Sequence, residues 1–212
     1  MIGRWRKMTT STEFQTQGAI WWRKPCHITE DIVLCGDLHA NFNKAKEQLE
    51  EWNAQGVTHI LDCREEWNDE QIVKEHGHGI EYIWHGTHDA GGSQDARWYE
   101  EGWAHYERIT EANPDAKVMV HCHMGINRAP SMAFYLMLRE GHTPHDALTL
   151  IRTGRPIAAC YYAESAWETF AKIEDLSLAE KNEGLNEIKE YFLENKLNLA
   201  EVIHQVRAVE YK

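Results

Sequence analysis

The stretch Val118-Met119-Val120-His121-Cys122-His123-Met124-Gly125-Ile126-Asn127-Arg128-Ala129-Pro130-Ser131 runs from a short apolar segment into a cysteine, with an arginine after five intervening residues. Lys117 to Val120 has the composition of a buried strand, and the apolar residues from Pro130 to Leu138 suit a helix. A loop of this length between strand and helix can curl so that successive backbone N–H groups and the guanidinium face one centre. Such a nest, with the positive end of a helix beginning near Pro130, holds an anion the size of phosphate. His123, Met124, Gly125, Ile126, Asn127 and Arg128 are therefore the expected phosphate-binding residues. The same positive field favours the thiolate of Cys122, the form in which cysteine is a nucleophile.

Working outward, strands alternate with helices. The pattern predicts strand Asp31–Cys35, helix Ala40–Gln55, strand His59–Asp62, a helix near Asp69–His76, strand Glu81–Trp84, helix Arg97–Glu111 and strand Lys117–His121. Helices Pro130–Glu140, Thr143–Arg152 (with Thr143 as cap and Pro144 at its first position) and Glu164–Glu174 follow. This is an α/β chain with a mostly parallel central sheet flanked by helices and extra C-terminal helices. The cradle falls at the carboxyl end of a strand, where ligands of such sheets bind.

A thiolate that attacks phosphorus needs a proton donor for the leaving oxygen. Asp89, at the start of a flexible Asp-Ala-Gly-Gly-Ser-Gln segment suited to a moving lid, is the first candidate. Asp95 is the alternative, with a structural explanation as a helix cap.

With His121 before Cys122, Gly125 in mid-loop and Pro130 after the arginine, the segment resembles the His-Cys-x-x-Gly-x-x-Arg loop of the cysteine-dependent protein phosphatases, most closely the dual-specificity branch. Gly56–Asp62 and Gly79–Asp89 are similar to that family's second core strand and the strand leading to its acid loop. The resemblance covers roughly residues 28 to 172. It implies a dual-specificity-like fold, Cys122 as nucleophile, Arg128 as phosphate ligand, Asp89 as general acid and His121 in support. It further implies a phosphocysteine intermediate, no cofactor or metal, and a shallow site for phosphotyrosine and phosphoserine/threonine on proteins or peptides.

Two departures matter. The family's usual Ser or Thr after the arginine, which assists departure of the sulfur, is Ala129 here, and Ser131 lies about 200° further round a helix. Its loop also lacks the lysines with which phosphoinositide phosphatases meet additional phosphates, which argues against a lipid headgroup.

Other readings carry fewer residues. Gly125-Ile126-Asn127-Arg128 is similar to RNA 5′-triphosphatases of the same fold, but 22 basic against 34 acidic residues give a net charge of −12, which repels a polyanion such as DNA or RNA. Gly36-Asp37-Leu38-His39-Ala40-Asn41 resembles the opening of binuclear metallophosphoesterases and Thr87-His88-Asp89 echoes another of their segments, yet no Gly-Asp-x-x-Asp follows the second strand. A polar turn is the simpler account of Asp37 and His39, and His76/His78 and His121/His123 lack a third ligand at matching spacing. A phosphate-binding pseudophosphatase has only Ala129 in its favour.

The 212 residues divide into an N-terminal segment 1–19 of disordered or tag-like character, a catalytic domain 20–174 and a helical extension 175–212. Trp21 and Trp22 are expected to pack on the domain. In the extension, Ser177 with Glu180 forms a capping box, Leu185, Ile188, Tyr191 and Phe192 recur at helical spacing, and a second helix spans Leu199 to Val209. The default role of both helices is to cover the core. Neither a membrane span nor a secretory leader is expected, and five scattered cysteines fit a reducing cytoplasm. Cys63, at the end of the second strand, is either a small apolar filler or a reversible disulfide partner for Cys122.

Overall fold

A computed structural model of the chain describes residues 21–210; the segment 1–19 lies outside them. The elements follow in chain order: β1 (Cys26–His27), β2 (Ile32–Cys35), α1 (Phe42–Ala54), β3 (His59–Arg64), α2 (Glu70–His76), β4 (Glu81–Thr87), α3 (Ala96–Ala112), β5 (Val118–His121), α4 (Arg128–Arg139), α5 (Pro144–Gly154), α6 (Ala163–Ile173), α7 (Leu178–Glu194) and α8 (Leu199–Val209).

The strands form one sheet in the order β1-β2-β5-β3-β4, parallel except for the antiparallel edge strand β1. Strand β5 lies in the middle, with Val118 and Val120 opposite Ile32 and Leu34 on one side and His59 and Leu61 on the other. Both faces of the sheet are apolar because both are covered. Ile32, Leu34, Leu61, Val118 and Val120 pack among α3 to α6, while Val33, Ile60 and Met119 meet Leu49 and Trp52 of α1 and Val73 of α2.

The boundaries differ from the sequence reading in a few places, for different reasons. Helix α1 begins at Phe42 because the Asn41 side chain accepts from the N–H groups of Asn43 and Lys44. Helix α4 begins at Arg128, two residues before Pro130. Strand β3 continues to Arg64, where a register irregularity lets its end pair with β4 as far as Thr87. The two-residue edge strand β1 is too short to leave a periodicity in the sequence.

Trp21 and Trp22 are buried. Helix α7, opened by the Ser177–Glu180 capping box, sends Ile188 and Tyr191 into the main core, and its Gly184 lies against the Trp167 ring. Helix α8 takes part in a third apolar cluster, in which Val202 and Val206 pack with Trp21, Trp22, Ile126, Ile157 and Ala159. No helix among the described residues is long and apolar enough to cross a membrane.

Candidate active site

The four parallel strands point their carboxyl ends the same way, and each is followed by a polar residue of the site: Asp37 after β2, Glu66 after β3, Asp89 after β4 and Cys122 after β5. Cys122, Arg128, Asp89 and Asn127 line one cleft of about 440 Å³.

Between Cys122 and Arg128 the chain turns inside out. Every carbonyl from His123 to Asn127 accepts a hydrogen bond from outside the loop: His123 O from Asp37 N (2.9 Å), Met124 O and Gly125 O from the Arg155 guanidinium (3.0 and 2.6 Å), Ile126 O from Ala159 N (2.7 Å) and Asn127 O from Ser131 N (2.9 Å). None of the N–H groups of residues 123 to 127 donates to a described protein acceptor. With the carbonyls drawn outward, the amides are left on the concave side, as an anion nest requires. Gly125 makes the turn possible. Its φ is +62°, and a Cβ there would collide with the Cys35 carbonyl and the Arg155 guanidinium.

Arg155 is the structural residue that the sequence reading missed. It is 1% exposed, and besides the two loop carbonyls it donates to Trp22 O at 2.7 Å. Its only signal in the sequence is a Gly-Arg-Pro turn ahead of the apolar run 157–160.

Arg128 is buried, and its terminal nitrogens donate to both oxygens of Glu66 at 2.6 and 2.7 Å and to Thr87 O at 3.1 Å. Burial works against its charge, but the Glu66 hydrogen bonds and the nearby Cys122, Glu66 and Asp89 outweigh that and raise its pKa. Its Nε lies 3.4 Å from Asp89 Oδ2 and makes no hydrogen bond, so one buried donor remains open beside the cleft. Glu66, also absent from the sequence reading, is pushed up by burial yet held below the usual carboxylate range by Arg128.

Asp89 accepts from Asn127 Nδ2 at 2.8 Å and from the Tyr162 hydroxyl at 2.6 Å. Burial and the Asp89 charge raise the Tyr162 pKa, which keeps that phenol a donor. Asp95 is placed differently. It caps α3, accepting from Arg97 N at 2.8 Å. The Asn127 side-chain oxygen meanwhile accepts from Tyr161 N, so this residue ties the loop to both flanking segments.

Other loop side chains are turned to support. His123 bridges Asp37 (Nδ1, 2.8 Å) and Glu210 (Nε2, 2.8 Å). Met124 and Ile126 pack in the third apolar cluster under α8. For residues 123, 124, 126 and 127 it is thus the backbone, not the side chain, that the cradle offers to a ligand. His121 is fully buried, 3.6 Å from Asp62, and burial lowers its pKa.

The metal-site reading of Asp37 and His39 finds no support. Asp37 pairs with Arg23 (3.0 Å) and His123, and His39 Nδ1 accepts from Asn41 N. Among the described residues, the acidic and histidine groups whose donor atoms converge are Asp62, Asp69 and His121, within 4.8 Å of one another. Arg64 already donates to both of those carboxylates, so their charge is met. All five cysteines are free. Cys63 is buried close enough to Cys122 that, after burial itself, the Cys122 charge is the largest influence raising its pKa.

No curated protein matches the chain. Among solved structures, the fold is similar to that of PTPMT1 (TM-score 0.59, 18% identity, covering 72% of this chain and 97% of the other). Human DUSP28 (TM-score 0.55, 16% identity, covering 71% and 93%) and Tk-PTP in its active form (TM-score 0.55, 18% identity, covering 74% and 99%) are similar too. At these identities the likeness speaks for the fold. The model of the dual specificity phosphatase catalytic domain matches residues 40–162, more than half of the chain, and on that ground this chain belongs to the dual-specificity branch of the cysteine-dependent phosphatases.

Proposed function

We propose that the chain hydrolyses phosphomonoesters, with phosphotyrosine and phosphoserine/threonine of proteins as its substrate class, through a phosphocysteine intermediate. The observation that carries this reading is the loop whose carbonyls are all drawn outward while its amides and the open Arg128 Nε face the cleft that holds Cys122. Cys122 Sγ attacks phosphorus in line as the bond to the leaving oxygen breaks. The loop amides and Arg128 carry the charge on the three equatorial oxygens. Asp89 gives its proton to the leaving oxygen. In the second step a water molecule loses a proton to Asp89 and attacks the phosphorus. The S–P bond breaks, inorganic phosphate departs and the thiolate is restored.

Asn127 and Tyr162 hold Asp89 at the cleft and so act as positioning residues for the acid. The engagement of Asn127 on both of its polar ends weighs against its reading a 5′-triphosphate.

Acid quench of the enzyme during turnover of an aryl phosphate, followed by peptide mass spectrometry, tests the mechanism. One phosphoryl group on the peptide containing Cys122 is expected. A phosphoryl group on another residue, or none under conditions where product release shows a burst, would overturn it.

A further inference from the structure

Helix α8 lies outside the matched catalytic domain, yet it forms one wall of the catalytic cleft. Two neighbouring stripes of the helix divide the work. Val202, Val206 and the following Glu210, four residues apart, are buried: the valines rest against Ile126 of the loop and Trp22, and Glu210 pairs with His123 while its carbonyl accepts from Arg23. Leu199, Ile203 and Arg207, also four apart, line the cleft beside Tyr161. The helix is therefore fixed on the catalytic loop by one stripe and presents the other to whatever enters.

That second stripe ends in a cation. Arg207 is exposed and has no carboxylate within ion-pair distance among the described residues, whereas the acids around the loop are all engaged: Glu66 and Asp89 with Arg128, Glu210 with His123. Resting on the phosphatase reading above, we propose that Arg207 is a specificity-determining residue that takes a second anionic group of the substrate, on a phosphopeptide whose residue next to the phosphorylated one is acidic or itself phosphorylated. The net charge of −12 repels a nucleic acid or an anionic membrane surface more strongly than a short peptide that carries one further anionic group. Leu199, Ile203 and Tyr161 suit the apolar stem of such a peptide better than a sugar-phosphate chain.

The test uses the full chain and phosphotyrosine peptides that differ only in the neighbouring residue, carrying glutamine, glutamate, phosphoserine or lysine, with an aryl phosphate as the reference substrate and an inositol bisphosphate and triphosphate-ended RNA alongside. Wild type should prefer the anionic neighbours in kcat/KM on the order of 10-fold, the scale of one charge-assisted hydrogen bond, and salt should erode the preference. The glutamate and phosphoserine arms separate the two sources of the charge. Arg207→Ala should bring the ratio close to one, Arg207→Lys should keep part of it, and Arg207→Glu should turn the preference toward a lysine neighbour. Aryl phosphate turnover without discrimination between peptides, or a ratio unchanged in Arg207→Ala, would overturn the inference and leave the phosphatase reading standing. Absence of turnover on every substrate would overturn both. An anion preference seen only with an inositol bisphosphate or triphosphate-ended RNA would overturn the peptide assignment.

Discussion

In the proposed mechanism, residue 129 bears on the second chemical step. Ala129 is fully buried at the start of α4, and Ser131 is engaged elsewhere, its hydroxyl accepting from Tyr162 N at 3.3 Å. No hydroxyl from this turn of helix is thus directed to the Cys122 sulfur as it leaves. Ala129→Ser should speed hydrolysis of the phosphoenzyme in single-turnover measurements, and an unchanged or slower step would sink that account. His123 supplies a pH signature. Its hydrogen bond to Asp37, opposed by burial and helped by the charges of Asp37, Glu210 and Glu66, raises its pKa above the ordinary 6.5. A group raised in the folded state stabilises fully below its unfolded value and loses that contribution as pH climbs through the folded one. The stability difference between wild type and His123→Gln in urea should be largest below about pH 6.5 and shrink above it. His121, lowered by burial, is common to both variants and drops out of the difference. A difference that grows with pH would contradict the assigned bridge. At this scale Cys122 and Arg128 could be proposed from their place between a strand and a helix, and Asp89 from the family resemblance and the flexible segment it opens. Glu66 and Arg155 could not, because their roles exist only once distant segments close on the loop.

The element that matters most is the loop between β5 and α4, and its shape is imposed from outside. Arg155 and the N–H groups of Asp37 and Ala159 pull on its carbonyls, and Gly125 at φ +62° absorbs the resulting turn. Gly125→Ala places a side chain in a left-handed conformation, which costs about 1–2 kcal/mol, and adds a collision with the Cys35 carbonyl. Loss of at least ~2 kcal/mol in chemical denaturation, together with loss of competitive phosphate or vanadate binding, is the expected result. Retained oxyanion affinity would mean that the cradle does not need this geometry. The sequence showed that a loop sat here, because Gly125 and the strand before it are local signals. It pointed to the backbone amides of residues 123 to 127 as the phosphate ligands and left open what the side chains of His123, Met124, Ile126 and Asn127 touch; the structure makes them supports. Side-chain direction in a loop is set by tertiary partners such as Glu210 and Trp22, which no spacing rule reaches.

At the scale of the whole molecule, the extension and the catalytic domain share their packing. Helix α7 completes the main core, and α8 buries Met124 and Ile126 of the loop together with Trp21 and Trp22 from the other end of the described chain. Covering was the expected role. The location of the covered surface, the back of the loop and one wall of its cleft, required the fold. Val206→Asp, which forces a charge into a fully buried site, should undock α8 at a cost of roughly 2–4 kcal/mol and remove hydrogen-exchange protection from residues 199–209. Aryl phosphate turnover should fall with it, since Ile126 loses its cover; undocking with full activity would show the helix to be dispensable for the loop. The central claim, that a thiolate in this cradle does the chemistry, is tested most directly by aryl phosphate hydrolysis in the presence of EDTA, compared between wild type and Cys122→Ser. The account predicts activity that survives the chelator and disappears with the serine; activity that is lost to EDTA and retained in Cys122→Ser would contradict it.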